Sequence, residues 1–164
     1  MLPSMLDKLN LQEVKLTDVS KIQYRFLLAD SQEFRYSPLL IVEFTGACGF
    51  GSGSNADACF MYAMIAAAFK LWDPICCILD LRGLKYEWGD MMSQLFVPPH
   101  DLFSLGEEPV DFPFAAVVSD LNREGLTSLI SDEMSMDPAI ILFDTIELAY
   151  ERVIAIAGKT YKSL

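Results

Sequence analysis

The run Ile75-Cys-Cys-Ile-Leu-Asp-Leu81 constrains the fold more than any other stretch of the chain. It is apolar at every position but one, and it lies between Asp73-Pro74 and Gly83. A strand with one wet face alternates polar and apolar residues. A strand apolar on both faces belongs to a parallel sheet covered on both sides. The residues before it supply the crossover that parallel strands require. Ser54 is a good helix N-cap, and Asp57 sits three residues later, where a carboxylate favours the positive end of the helix dipole. Ala, Met and Phe then carry the helix to Trp72, and Asp73-Pro74 stops it. So few of its residues are polar that the helix is expected to be buried on most sides.

The rest of the chain reads as further strands and helices in alternation. Lys21–Leu28 alternates at first and is predicted as a strand, with residues near Val14 as its candidate partner; residues 30–33 form a turn. Leu39–Thr45 is a β-branched and aromatic strand, followed by a glycine-rich loop from Gly46 to Gly53. Gly83 is expected to break the central strand. A helix is predicted over Trp88–Leu95, whereas Val97-Pro-Pro-His-Asp101 cannot be helical. An acidic loop runs from Asp101 to Phe112, then a buried strand spans Phe114–Ser119 and a short helix Asn122–Ser131. Met134–Pro138 is a loop and Ala139–Phe143 a last strand. Asp144-Thr145 caps a final helix to about Ala157, with Gly158 as its stop. The order β-β-α-β-α-β-α-β-α describes an α/β domain with a single sheet of five to six strands and helices. No linker or repeat divides residues 1–164, so one domain is expected, long enough to bury roughly 70% of its unfolded surface.

Charge and cysteine content narrow the function. A net charge of −11 repels nucleic-acid phosphates and anionic membranes and favours a basic protein partner. No leader segment or membrane span is read, which with the cysteines points to the cytoplasm. Cys76 and Cys77 are neighbours in a strand and point to opposite faces, so they do not suit a bridge; no C-x-x-C pair occurs, and His100 is the only histidine. Free cysteines behaving as small hydrophobes in a reducing compartment follow. Neither a metal nor a cofactor is expected. A homo-oligomer is compatible with all of this.

Four constellations are candidates for chemistry. The segment Gly49-Phe-Gly51-Ser-Gly53-Ser54 joins a strand to a helix N-terminus, an arrangement that can cradle a phosphate; it lacks the lysine of a P-loop, and a plain strand-to-helix connection fits it better. Nucleophilic catalysis would need His100 as its base, and that residue lies between a Pro-Pro pair and an acidic loop. Asp80 is an acid inside an apolar strand, and Arg82 two residues on is expected to pair with it. After the strand, Tyr86, Glu87, Trp88 and Asp90 form an aromatic and acidic turn of the kind that gathers ligands or partners at the carboxyl ends of strands. Glu87 and Asp90 would share a helix face there.

From Ile75 to Val153 the chain resembles a STAS-type domain, the fold of bacterial anti-sigma-factor antagonists. The resemblance rests on Leu79-Asp80-Leu81-Arg82-Gly83-Leu84 and on the close Phe143-Asp-Thr-Ile-Glu-Leu-Ala149. The family's phosphoacceptor lies in an Asp-Ser-Ser/Thr-Gly turn, where this chain has Tyr86-Glu87-Trp88-Gly89, so the resemblance implies a lost phospho-switch. A second resemblance, to crotonase-like proteins, rests on Asn55-Ala56, the long helix, Asp73-Pro74 and the strand ending at Gly83. It implies one oxyanion amide near Gly83, but Val117–Gly125 offers no glycine cluster for the second.

The expectation is a non-catalytic protein-binding domain, in one version an immunity protein that neutralises a co-encoded toxin. Its binding surface would comprise Tyr86, Glu87, Trp88 and Asp90 with Asp101, Glu107, Glu108 and Asp111. The alternatives are a diverged STAS-type regulatory protein, or a small crotonase-like or nucleotide-binding enzyme that uses Gly49, Gly51, Gly53 and Ser54.

Overall fold

The strands pair in one sheet whose order in space is their order in the chain. In the computed structural model, which describes residues 11–29, 38–97 and 112–161, they are β1 (Gln23–Ala29), β2 (Leu39–Ala47), β3 (Cys76–Lys85), β4 (Phe114–Val117) and β5 (Leu142–Phe143). β1 runs antiparallel to β2, and every later pair is parallel. Helix α1 (Asn55–Trp72) makes the first crossover, and a 3₁₀ helix, Asp90–Phe96, lies in the second. Helix α2 (Arg123–Ser128), continued by a π turn to Glu133, lies in the third, and α3 (Ile146–Tyr161) closes the chain.

Two apolar layers follow from the pleat of β3, whose successive side chains point to opposite faces. Cys77, Leu79 and Leu81 join Leu40, Val42 and Phe44 of β2 under α1, which contributes Phe60, Met61, Ile65 and Phe69. Cys76 and Ile78 face the other way, with Ala115 and Val117 of β4, and meet Ala149 and Val153 of α3. The continuous apolar run of β3 is thus covered on both sides.

Several local expectations are corrected. β1 pairs with β2, not with residues near Val14, which lie in an exposed arm before the 3₁₀ turn Leu16–Asp18. Gly83 does not end the central strand: β3 continues to Lys85 and carries one extra residue there, so that Glu43 aligns with Asp80 but Thr45 with Gly83. The bulge brings Gly83 so close to Thr45 that a Cβ at position 83 would crowd the threonine methyl. The helix predicted over Trp88–Leu95 is the 3₁₀ segment Asp90–Phe96, so Glu87 shares no helix face with Asp90. The last strand has shrunk to two residues because Pro138–Ile140 form a 3₁₀ turn. Gly158 does not stop α3, which runs through it.

Ser54 is not the cap its position suggested. The chain is already helical there (φ −86°, ψ −9°) because a 3₁₀ turn, Gly51–Ser54, leads into α1, and the Ser54 hydroxyl donates to the Gly51 carbonyl at 2.7 Å. The far end of α1 does stop as expected. Asp73 turns left-handed (φ 44°), its N–H reaches the Phe69 carbonyl at 2.9 Å, and Pro74 follows. The turn at 30–33, His100 and the acidic positions Asp101, Glu107, Glu108 and Asp111 lie outside the described residues.

Candidate functional site

Because β2, β3 and β4 are parallel neighbours, the segments that leave their carboxyl ends meet at one end of the sheet. The glycine loop after β2 and the aromatic turn after β3 are joined directly. The Cys48 N–H donates to the Lys85 carbonyl (2.9 Å) and the Gly51 N–H to the Trp88 carbonyl (2.9 Å). Gly51 has φ +57°, and the Trp88 ring occupies the space a Cβ would need. At Gly89 a Cβ would collide with the Ser54 hydroxyl. Two loop amides are already engaged: Gly49 N–H donates to the Asp57 carboxylate (2.9 Å) and Gly53 N–H to the Phe50 carbonyl (3.0 Å). Asp57 also accepts from the Ser20 hydroxyl at 2.6 Å, which anchors the N-terminal arm where it enters the fold.

The exit of β4 is clamped onto the same turn by Asn122, which is buried. Its side-chain amide donates to the Leu81 carbonyl (2.5 Å) and the Leu84 carbonyl (2.8 Å), and its carbonyl oxygen accepts from the Ser119 N–H (3.1 Å). The Ser119 hydroxyl donates to the Arg82 carbonyl at 2.8 Å, and the Tyr86 N–H to the Leu121 carbonyl at 3.1 Å. Tyr86 itself is buried. Its hydroxyl donates to the Gly89 carbonyl (3.0 Å), and burial pushes its ionisation up to about 12.

Two surfaces result. Trp88 is 53% exposed and Phe50 69% exposed, and their rings lie 5.7 Å apart as an open aromatic pair. Beside them a groove of about 450 Å³ runs between the β3 turn and the start of α2, lined by Tyr86, Glu87, Asp120, Leu121, Asn122 and Glu124 among others. Its charged lining groups are carboxylates. Glu87 is paired outward with Lys85 at 3.1 Å, and Leu121 is half-exposed.

On the α3 face, Asp80 and Arg82 form the expected ion pair. Arg82 Nε reaches one carboxylate oxygen at 2.9 Å and Nη2 the other at 2.7 Å; the Arg82 N–H adds a third bond at 3.2 Å. The bond to Asp80 holds the guanidinium above its ordinary range, with Glu147 and Glu43 adding to the effect. The arrangement satisfies a buried carboxylate and presents no free base or nucleophile.

Of the residues nominated from sequence, the structure brings together Gly49, Gly51, Gly53 and Ser54 with Tyr86, Glu87, Trp88 and Asp90. Two groups chosen for rival readings therefore form one end of the molecule. Trp72 is elsewhere, packed on Phe26 with ring centroids 5.2 Å apart. Phe50, Asp120, Leu121, Asn122 and Glu124 belong to this end and were not singled out. The only signal for them was their position just after a predicted strand. Among the described residues no cluster of three or more His, Cys, Asp or Glu is placed to hold a metal ion, and no helix is long and apolar enough to cross a membrane.

The crystal structure of an anti-sigma factor antagonist from Mycobacterium paratuberculosis is similar to this chain, with a TM-score of 0.51 and 16% sequence identity over 80% of this chain and 95% of that one. No family model matches the sequence, and no curated protein does. The likeness shows the fold: a mixed α/β, STAS-like five-stranded sheet with helices.

Proposed function

We propose that this chain is a STAS-type regulatory protein that acts by binding another protein, without catalysis and without a phosphate switch in its β3 turn. The observation that supports the reading is the likeness to an anti-sigma factor antagonist, together with an open Phe50–Trp88 pair at the carboxyl end of its sheet. Exposed aromatic rings beside a satisfied, rigid backbone suit an interface anchor. The carboxylates Glu87, Asp90, Asp120 and Glu124 around them favour a basic partner surface. The one hydroxyl in the turn, on Tyr86, is buried against the Gly89 carbonyl and closed to a kinase. The version in which the partner is a toxin has no observation in its favour.

The test is affinity capture with the tagged full chain from cells of its source, compared with Trp88→Ala and Phe50→Ala. A regulator of transcription recovered in stoichiometric amount, lost in both variants and weakened by salt, is the expected result. Equal recovery by all three chains would remove this surface from the reading. Phosphate found by mass spectrometry on Ser93, the nearby hydroxyl in the 3₁₀ helix, would remove the claim that the switch is absent.

A further inference from the structure

We propose that β1 is a pairing edge for a second copy of this chain, with the two β1 strands joined antiparallel about a two-fold axis at Phe26. β1 lies at the end of the sheet order, so alternate N–H and C=O groups along it point away from β2. Such edges recruit other strands unless a proline, an outward lysine, a bulge or a cover prevents it. Gln-Tyr-Arg-Phe-Leu-Leu-Ala contains neither proline nor lysine, and it pairs with β2 in an unbroken seven-residue register. Six of its seven residues are exposed.

Charge selects a second copy here. The protein carries −11 overall, so most of its surface repels another copy. β1 carries little of that charge. Its one charged residue, Arg25, is matched by Glu43 of β2 at 2.6 Å, and the strand is otherwise neutral. The pattern is also self-complementary. With the axis at Phe26, Tyr24 stands opposite Leu28 of the second copy on the α1 side, twice by symmetry. Arg25 stands opposite Leu27 on the other side, where the arginine stem can cover the leucine. Tyr24, Leu27 and Leu28 are 42%, 41% and 46% exposed in the single chain, and each gains an apolar neighbour. The contact is isologous and closed; it doubles the five-stranded sheet and removes both free β1 edges.

Sedimentation velocity of the full chain across the micromolar range tests the proposal. The expected mass is twice 18.4 kDa. Tyr24→Lys/Leu28→Lys sets ammonium against ammonium in both cross-strand pairs and weakens association by roughly tenfold or more. Tyr24→Glu/Leu28→Lys removes the same apolar contacts but sets carboxylate against ammonium, and it recovers association at low salt. Circular dichroism and melting of the two variants, compared with each other, control for lost packing of Tyr24 on Phe60. A chain that stays monomeric, a lysine pair that still dimerises, or a charge swap no better than the lysine pair overturns the proposal.

Discussion

Gly51 combines a positive φ with the ring of Trp88 where a methyl group would go. Gly51→Ala therefore costs about 1–2 kcal/mol from backbone strain alone and displaces Trp88, so an unfolding midpoint and tryptophan fluorescence should both shift. Gly53 has nothing within reach of an added Cβ, and Gly53→Ala is the control that should leave the fluorescence unchanged. Asn122 is the other single-residue clamp. Asn122→Ala leaves two buried carbonyls without donors and should cost about 1–3 kcal/mol in denaturant titrations; Asn122→Asp, which turns a carboxylate toward those carbonyls, should cost more. The sequence nominated Gly51 and Trp88 separately and for different reasons. Their contact became visible only when β2 and β3 proved to be parallel neighbours, because it is made by residues 37 positions apart. The sequence places Asn122 at the start of a helix, where asparagine is common. Its side chain makes no cap bond and crosses to the β3 turn instead, which no local pattern encodes.

At the scale of elements, length and order were legible where apolar periodicity is strong. β2, α1 and β3 were anticipated because each is long and strongly apolar, and the stop of α1 at Asp73-Pro74 carries a clear signal. β5 is shorter than the strand predicted over Ala139–Phe143, and the helix predicted over Trp88–Leu95 is 3₁₀ over Asp90–Phe96, because short pieces take their form from what they pack against. The prediction that α1 is buried on most sides holds for the face that carries Ala58, Phe60, Met61, Met64, Ile65, Ala68 and Phe69, whereas Leu71 is exposed. Ala56, Cys59, Ala63 and Ala67 form an open stripe at helical spacing, which small apolar residues disguise in a hydropathy reading. Ala63→Glu should therefore change stability by no more than about 0.5 kcal/mol, whereas Ile65→Ala, two residues on and facing β2 and β3, should cost about 2–5 kcal/mol. Parallel denaturant melts of the two variants check the orientation of the helix.

The whole molecule is acidic outside, and inside it holds weak acids in their neutral form. Burial pushes the thiols of Cys48 and Cys76 up to about 12, raises Cys77 well above its ordinary 9.0, and takes Tyr86 from 10.0 to about 12. The folded chain thus binds these protons more tightly than the unfolded chain. Their contribution is complete below pH 9 and is lost as pH rises from about 9 to about 12. The melting temperature should hold from pH 7 to near pH 9 and fall steeply above it. Tyr86→Phe should lower stability at neutral pH by about 1 kcal/mol for the lost bond to Gly89, yet flatten the decline above pH 10. The extra residue at Gly83 bears on the whole molecule too, because a pleated strand has a phase. In strict alternation Leu81 and Leu84 point to opposite sides of a sheet, yet here both are buried in the layer under α1. The bulge is a one-residue frameshift in that alternation. It lets Asp80 and Arg82 serve the α3 side while Leu84, further along the same strand, and Tyr86, just past its end, plug the α1 side and turn Glu87 and Trp88 out to solvent. Deleting Gly83 would restore the phase and exchange the inward and outward sets of the turn, and with them the chemical character of that end of the protein.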